Sequence, residues 1–254
     1  MPAFWVVEHL DVVEHISASI LPGAVDLSPD PLPLQQLEKA FRYCIVMISR
    51  PLQNCSLAAL KLFLCLCMRA DFNTGSLSTT YPQLIALSGM SRPLVARALK
   101  RLVSEALVSK IDKPLREGTE LKLSGWEDAY YGKLPKQVFY DGAQDKLLKL
   151  REFEFSALSL YSLKVYLVIV GFRDRRNFNI TTINYTTIAS KAGVPKHQIP
   201  AVLNRLYASE LIAYKQADYY ESSQAQADRT NRYLVRGLGD RWPAFNPGKQ
   251  ATTE

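Results

Sequence analysis

Between Ser91 and Glu105 the sequence SRPLVARALKRLVSE sets Arg92, Arg97, Lys100 and Arg101 among apolar residues at helical spacing. Val95, Leu99 and Leu102 recur at intervals of four and three, with Ala98 beside them. A helix turns that stripe inward and leaves Arg92, Ala96, Arg97 and Lys100 on the opposite face. Three cations around one small residue suit the approach of a polyanion. A guanidinium can bridge O6 and N7 of guanine, while cations nearer the helix ends can meet phosphates. Arg101 stands at the margin, placed to anchor the helix to a nucleic-acid backbone or to its own unit. The competing reading is plain solvation, because charged runs are commonly the wet face of a helix.

A second stretch, PKHQIPAVLNRLYASE from Pro195 to Glu210, carries Lys196, His197, Gln198, Asn204 and Arg205 at matching places. Gln and Asn side chains can read adenine. Pro200 falls where an interior helical N–H is normally needed, so this helix is expected to start late or to kink. His197 reads as a solvent or phosphate contact, since no acid or nucleophile stands near it in sequence to make a catalytic pair.

Both stretches lie inside a repeat that positions them. Tyr81 to Val108, YPQLIALSGMSRPLVARALKRLVSEALV, overlays Tyr185 to Ile212, YTTIASKAGVPKHQIPAVLNRLYASELI, at constant offset. Tyr81 meets Tyr185, Gly89 meets Gly193, Leu99 meets Leu203, and Arg101 meets Arg205. Each copy reads as a short helix, a glycine turn and a second helix whose N-terminus is marked by Ser91 in the first copy. Ahead of each lies an apolar helix, SLAALKLFLCLCMRAD and LSLYSLKVYLVIVGFRD, in which Leu60 and Lys61 reappear as Leu163 and Lys164. Short strands are expected at Leu77 to Thr79 and around Ile180 to Ile183.

After each copy come two strands. Leu107 to Ile111 and Glu120 to Leu123 are joined by DKPLREGT, whose tip carries Lys113 and Arg116, with Gly118 supplying the turn. LIAYKQ and NRYLVRG are joined by the longer ADYYESSQAQADRT, with Arg229 and Arg232 flanking its end for a minor-groove or phosphate contact. Arg173, Arg175 and Arg176 precede the second copy and either reach phosphates or solvate a loop.

The remaining chain divides around these units. Residues 1–33 form an acidic arm and a Pro-rich linker. A first domain spans 34–123, opening with a helix over Leu34 to Ser49. An aromatic-rich connection runs over 124–156, with a short helix within Gln144 to Phe153. A second domain spans 157–237, and 238–254 is a Pro- and Gly-punctuated tail. The net charge is +7, and its placement matters more than its size. Residues 56–123 hold ten basic against five acidic residues, and 157–237 eleven against five, so the positive charge belongs to the repeats.

Other classes find little support. No apolar stretch is long enough to span a bilayer, and the N-terminus has acids where a secretory leader needs a basic start, so a cytoplasmic protein is expected. Cys44, Cys55, Cys65 and Cys67 read as buried reduced thiols and not as metal ligands. Nucleotide-loop, dinucleotide, zinc-hydrolase and serine-hydrolase motifs are absent. With 13 tyrosines a strand-nicking nucleophile is conceivable by composition, but the chain has only His9, His15 and His197 to supply a metal-binding His pair. No enzyme activity, cofactor or metal is expected.

The two units, about 150 of 254 residues, resemble bacterial winged-helix DNA-binding domains. The repeated phrases quoted above are similar to the helix-turn-helix of MarR-like regulators and of phage and plasmid replication proteins. Two such domains in one chain resemble the architecture of plasmid replication initiators, where one can dimerise while the other binds repeated origin sites. The resemblance implies an α+β fold, mainly α with small β wings, in two tandem winged helices. It implies sequence-specific binding of double-stranded DNA in replication initiation or transcriptional control of a plasmid, phage or other mobile element. Implied partners are duplex DNA, a second copy of the chain and the replication or transcription machinery, without a membrane. The alternative is a tandem winged-helix scaffold that binds proteins in a chromosome-organising or helicase-loading complex.

Overall fold

A computed structural model describes residues 43–47, 54–111, 118–126, 131–140, 146–173, 180–215, 230–238 and 242, with backbone only at 43–47 and 131. Ser56 accepts a hydrogen bond from the Ala59 amide and starts helix α1, Leu57–Arg69, whose residues are buried almost throughout. Such an all-round apolar helix can only be a central element. Asp71 then accepts from the amides of Asn73 and Thr74, closing the turn that leads into strand β2, Ser76–Thr79. Thr80 and Gln83 form a reciprocal capping box at the start of helix α2, Tyr81–Ser88. Gly89, at φ 68°, ends it in the left-handed conformation that its lack of a Cβ allows.

Helix α3 covers Arg92–Ser104 and buries Val95, Ala98, Leu99 and Leu102, the stripe expected from spacing. Ser91 occupies the N-cap position but makes no side-chain capping bond, so its expected oxygen contact is corrected. Pro93 in the first turn supplies the preset φ instead. Strands β3, Val108–Ile111, and β4, Thr119–Leu123, follow, and β4 lies between β2 and β3 in an antiparallel sheet. Leu121 and Leu123 point into the core while Glu120 and Lys122 remain half-exposed.

The described residues of the connection between the repeats include a strand and two short helices. Strand β5, Tyr131–Pro135, runs into helix α4, Lys136–Phe139, and a one-turn helix α5, Leu148–Arg151, follows. The partner of β5 is β1, Tyr43–Met47, in register Cys44↔Leu134 and Val46↔Gly132. The helix expected over Leu34 to Ser49 is therefore corrected at 43–47, and its remainder lies outside the described residues. The run YCIVM is aromatic and β-branched, and pairing with β5 gives partners to the backbone groups along one edge of the segment.

The plan then repeats. Helix α6, Ala157–Gly171, is capped by Ser156; strand β6 is Thr181–Thr182; helix α7, Tyr185–Ala192, is capped by Asn184 and ended by Gly193 at φ 62°. A 3-10 turn over Lys196–Gln198 leads into helix α8, Ile199–Ala208, with Pro200 in its first turn, so the helix does start late. Strands β7, Ile212–Lys215, and β8, Arg232–Val235, complete a sheet in which β8 lies between β6 and β7. The two sheets thus share one strand order. Even the backbone exceptions repeat, since Ala106 and Glu210 both have positive φ where the chain leaves α3 and α8.

The fold is α+β, helical with small antiparallel sheets. Buried apolar residues of both repeats and of the connection make one continuous cluster, to which the connection contributes Leu134, Phe139, Leu147, Leu150 and Phe153. Trp126 is buried beside the first repeat and donates its indole N–H to the Phe72 carbonyl at 3.0 Å. Among the described residues no helix is long and apolar enough to cross a membrane.

Gly75 has φ 67°, and a Cβ there would lie 2.4 Å from Cγ of Trp126. Left-handed backbone and a rigid aromatic neighbour act together at this point. Gly75→Ala is expected to lower unfolding free energy by about 2 kcal/mol or more, measured by urea denaturation; a change below about 0.5 kcal/mol would contradict this packing.

Candidate nucleic-acid interface

Helix α3 presents two kinds of cation. At 3.6 residues per turn, Arg97 and Lys100 are the cations nearest to opposite the buried stripe, whereas Arg92, expected with them on that face, is corrected to one margin, with Arg101 at the other. The margins are engaged. Arg92 stands with its guanidinium carbon 5.7 Å from the Tyr81 ring centroid. Arg101 pairs with Glu105 at 2.6 Å, one turn along the same helix. Arg97 and Lys100 are exposed and make no hydrogen bond or ion pair with any described residue. Ala96 beside them is half-buried, so a ligand would meet the two long side chains before the backbone.

The second repeat presents a different surface. Lys196 and His197 are exposed on the 3-10 turn, and Gln198 is half-buried. Asn204 is exposed on α8, where its side-chain oxygen accepts from the Tyr214 hydroxyl at 3.4 Å. Arg205 is turned away from this group. Its Nη2 donates to the carbonyl of Glu152 at 3.1 Å, and its guanidinium carbon lies 5.5 Å from the Phe153 ring centroid. The equivalent residues Arg101 and Arg205 therefore anchor their helices differently, one within its own helix and one to the connecting segment. Arg232 is exposed on β8. Lys113, Arg116, Arg229, Arg175 and Arg176 lie outside the described residues. Arg173, read in sequence as a surface cation, is buried.

A buried lysine answers Arg205 from the first repeat. Lys61 on α1 is only 4% exposed and donates to the Phe153 carbonyl at 3.0 Å, with the Phe155 ring centroid 5.3 Å from its nitrogen. Burial pulls its pKa below the usual lysine value, and the charge of Arg151 adds to that pull. Arg151 itself donates to the Ala86 carbonyl on α2, and the Leu147 amide donates to the Leu87 carbonyl at 3.3 Å. Sequence spacing gave no notice of these contacts to the connection, although Lys61 and Lys164 stood out as a repeated pair inside apolar helices. Lys164 is half-buried, and burial lowers its pKa too.

Cys55, Cys65 and Cys67 are buried free thiols, and burial pushes Cys55 up to about 11 and Cys65 up to about 12. Such thiols are poor nucleophiles at neutral pH. No group of potential metal-ligating side chains is assembled among the described residues. Comparison of the chain with protein-family models gives no match, and comparison with curated proteins gives none either.

Arg205→Ala removes a charged hydrogen bond and a ring contact from a half-buried site, and is expected to cost about 1–2 kcal/mol of stability. Arg101→Ala removes an exposed ion pair and should cost about 0.5 kcal/mol or less. Parallel thermal and urea unfolding of the two variants would measure this asymmetry, and equal losses would refute it.

Proposed function

We propose that this protein binds double-stranded DNA in a sequence-specific manner through two tandem winged helices, with α3 entering the major groove. The observation that carries the reading is the pair Arg97 and Lys100, exposed and unengaged by any described residue at the centre of the solvent face of α3. Arg97 is placed to discriminate bases, by bidentate bonding to guanine, and Lys100 to add phosphate attraction. The concentration of positive charge in the two repeats supports the same reading. Lys196, His197, Gln198 and Asn204 supply polar groups on the second unit, behind a helix shortened by Pro200. Replication initiation or transcriptional control of a plasmid, phage or other mobile element is the proposed setting, with a second copy and the replication or transcription machinery as further partners.

One observation favours the second reading, a winged-helix scaffold for protein partners. The second unit has Arg205 committed to the connecting segment, leaving its helix less cationic than α3. A scaffold, however, has no need of an excess of five positive charges on residues 56–123 and six on 157–237.

Selection of bound duplexes from a random pool should return a defined site, and its repeat spacing would show whether one chain uses both units. On that site Arg97→Ala should lose about 5- to 150-fold in affinity and relax preference at one position. Lys100→Ala should weaken all sequences alike and reduce the slope of log affinity against log salt by about 1. No duplex binding at low salt would favour the scaffold.

A further inference from the structure

The second unit carries an aromatic ladder that the first unit lacks. Tyr207 on α8, Tyr214 on β7 and Tyr233 on β8 follow one another from the surface into the core. The Tyr207 and Tyr214 rings meet edge to face with centroids 5.8 Å apart, and Tyr214 lies 6.4 Å from Tyr233. Tyr214 and Tyr233 are cross-strand partners in register, and Tyr233 is fully buried, so the inner half of the ladder is ordinary sheet packing. The outer half is not. Tyr207 leaves 51% of its surface in water on the solvent side of α8, although an aromatic ring of that size gains by burial.

Its surroundings are polar and cationic. The Arg236 guanidinium carbon lies 5.9 Å from the Tyr207 ring centroid, and Lys215, next to Tyr214, has its nitrogen 5.0 Å from the Trp242 ring centroid. Asn204, one turn before Tyr207, holds the Tyr214 hydroxyl and keeps its amide nitrogen for another partner. Glu210 is the exposed acid at the end of α8, and Arg232 adds a further exposed cation on β8. At the equivalent places the first unit has Val103 and Lys110, and the strand partner of Lys110 is Leu121. No ring is present there. Since both units share one sheet order and one helix order, the ladder is not a requirement of the fold.

We infer that this face of the second unit binds unpaired bases of single-stranded nucleic acid, with Tyr207 as the stacking surface. Every base has a π-face, so an exposed ring beside an Arg takes bases without regard to sequence while cations of the unit follow the phosphates. Charge favours this occupant over a protein one, because Arg236 stands against the ring and residues 157–237 hold eleven basic against five acidic residues. The inference goes beyond duplex reading by α3 and uses different residues, so either can fail without the other.

The test is fluorescence anisotropy of the full chain with a labelled oligothymidylate of about 16 nucleotides and, separately, a duplex of the same length. The wild type is expected to bind the single strand. Tyr207→Ala should lower that affinity by about tenfold and leave duplex affinity unchanged, while Tyr207→Phe retains it within about twofold. Lys100→Ala should show the converse, weakening the duplex alone. Absence of single-strand binding by the wild type, or single-strand affinity unchanged in Tyr207→Ala, would overturn the inference. So would a concentration-dependent oligomer that Tyr207→Ala abolishes with no effect on single-strand affinity, which would assign the face to a second copy. Loss of duplex binding throughout, with the Tyr207 effect on the single strand intact, would instead remove only the reading of α3.

Discussion

Two consecutive backbone carbonyls, those of Glu152 and Phe153, receive a cation from each side of the molecule. Lys61 reaches Phe153 from α1 and Arg205 reaches Glu152 from α8. A lysine that is almost fully buried would be costly without such an acceptor, so the position of the Phe153 carbonyl is a condition for α1 to sit where it does. Arg151 and Leu147 extend the same attachment to α2 through the carbonyls of Ala86 and Leu87. The connecting segment therefore fixes the helix before the turn in one repeat and the helix after the turn in the other. With Leu147, Leu150 and Phe153 in the shared apolar cluster, the two repeats are built on one core.

Within that frame the copies have diverged at their surfaces and not in their backbones. Gly89 and Gly193 turn alike, Ala106 and Glu210 leave their helices alike, and the sheets are ordered alike. On α3 the centre of the wet face carries Arg97 and Lys100. On α8 Lys100 is replaced by Asn204, and Val103 by Tyr207. A shared scaffold with different exposed chemistry is the expected result when a fold is kept by its apolar positions and its function is carried by the others.

What was legible in the sequence follows from range. The stripe of Val95, Leu99 and Leu102, the turn glycines and the late start imposed by Pro200 depend on residues within a few positions of one another, and each was readable. The strands around β3, β4, β7 and β8 were placed to within a residue or two, because alternation and turn residues bound them. The segment 43–47 was not readable as a strand. Its apolar run suits a helix or a strand equally, and the choice is made by β5, far along the chain. The same holds for Arg205, whose exposed spacing on α8 said nothing of the Glu152 carbonyl, and for Arg173, which looked like a loop cation and is buried. The Tyr ladder needed the register of β7 and β8 before its rings could be seen as neighbours.

The bond from Lys61 to Phe153 spans 92 residues, and this has a consequence for the order in which the protein matures. A ribosome adding about 5–20 residues per second exposes α1 roughly 5–20 s before the carbonyl that its buried lysine requires. Helix formation takes microseconds or less, so for nearly all of that interval the segment of α1 can form its turns but must leave the Lys61 ammonium in water, and cannot take its buried place. The strand pair of β1 and β5 imposes a wait of similar length. The first repeat, although encoded first, is thus completed only when the connecting segment has emerged, and the nascent chain must stay soluble until then.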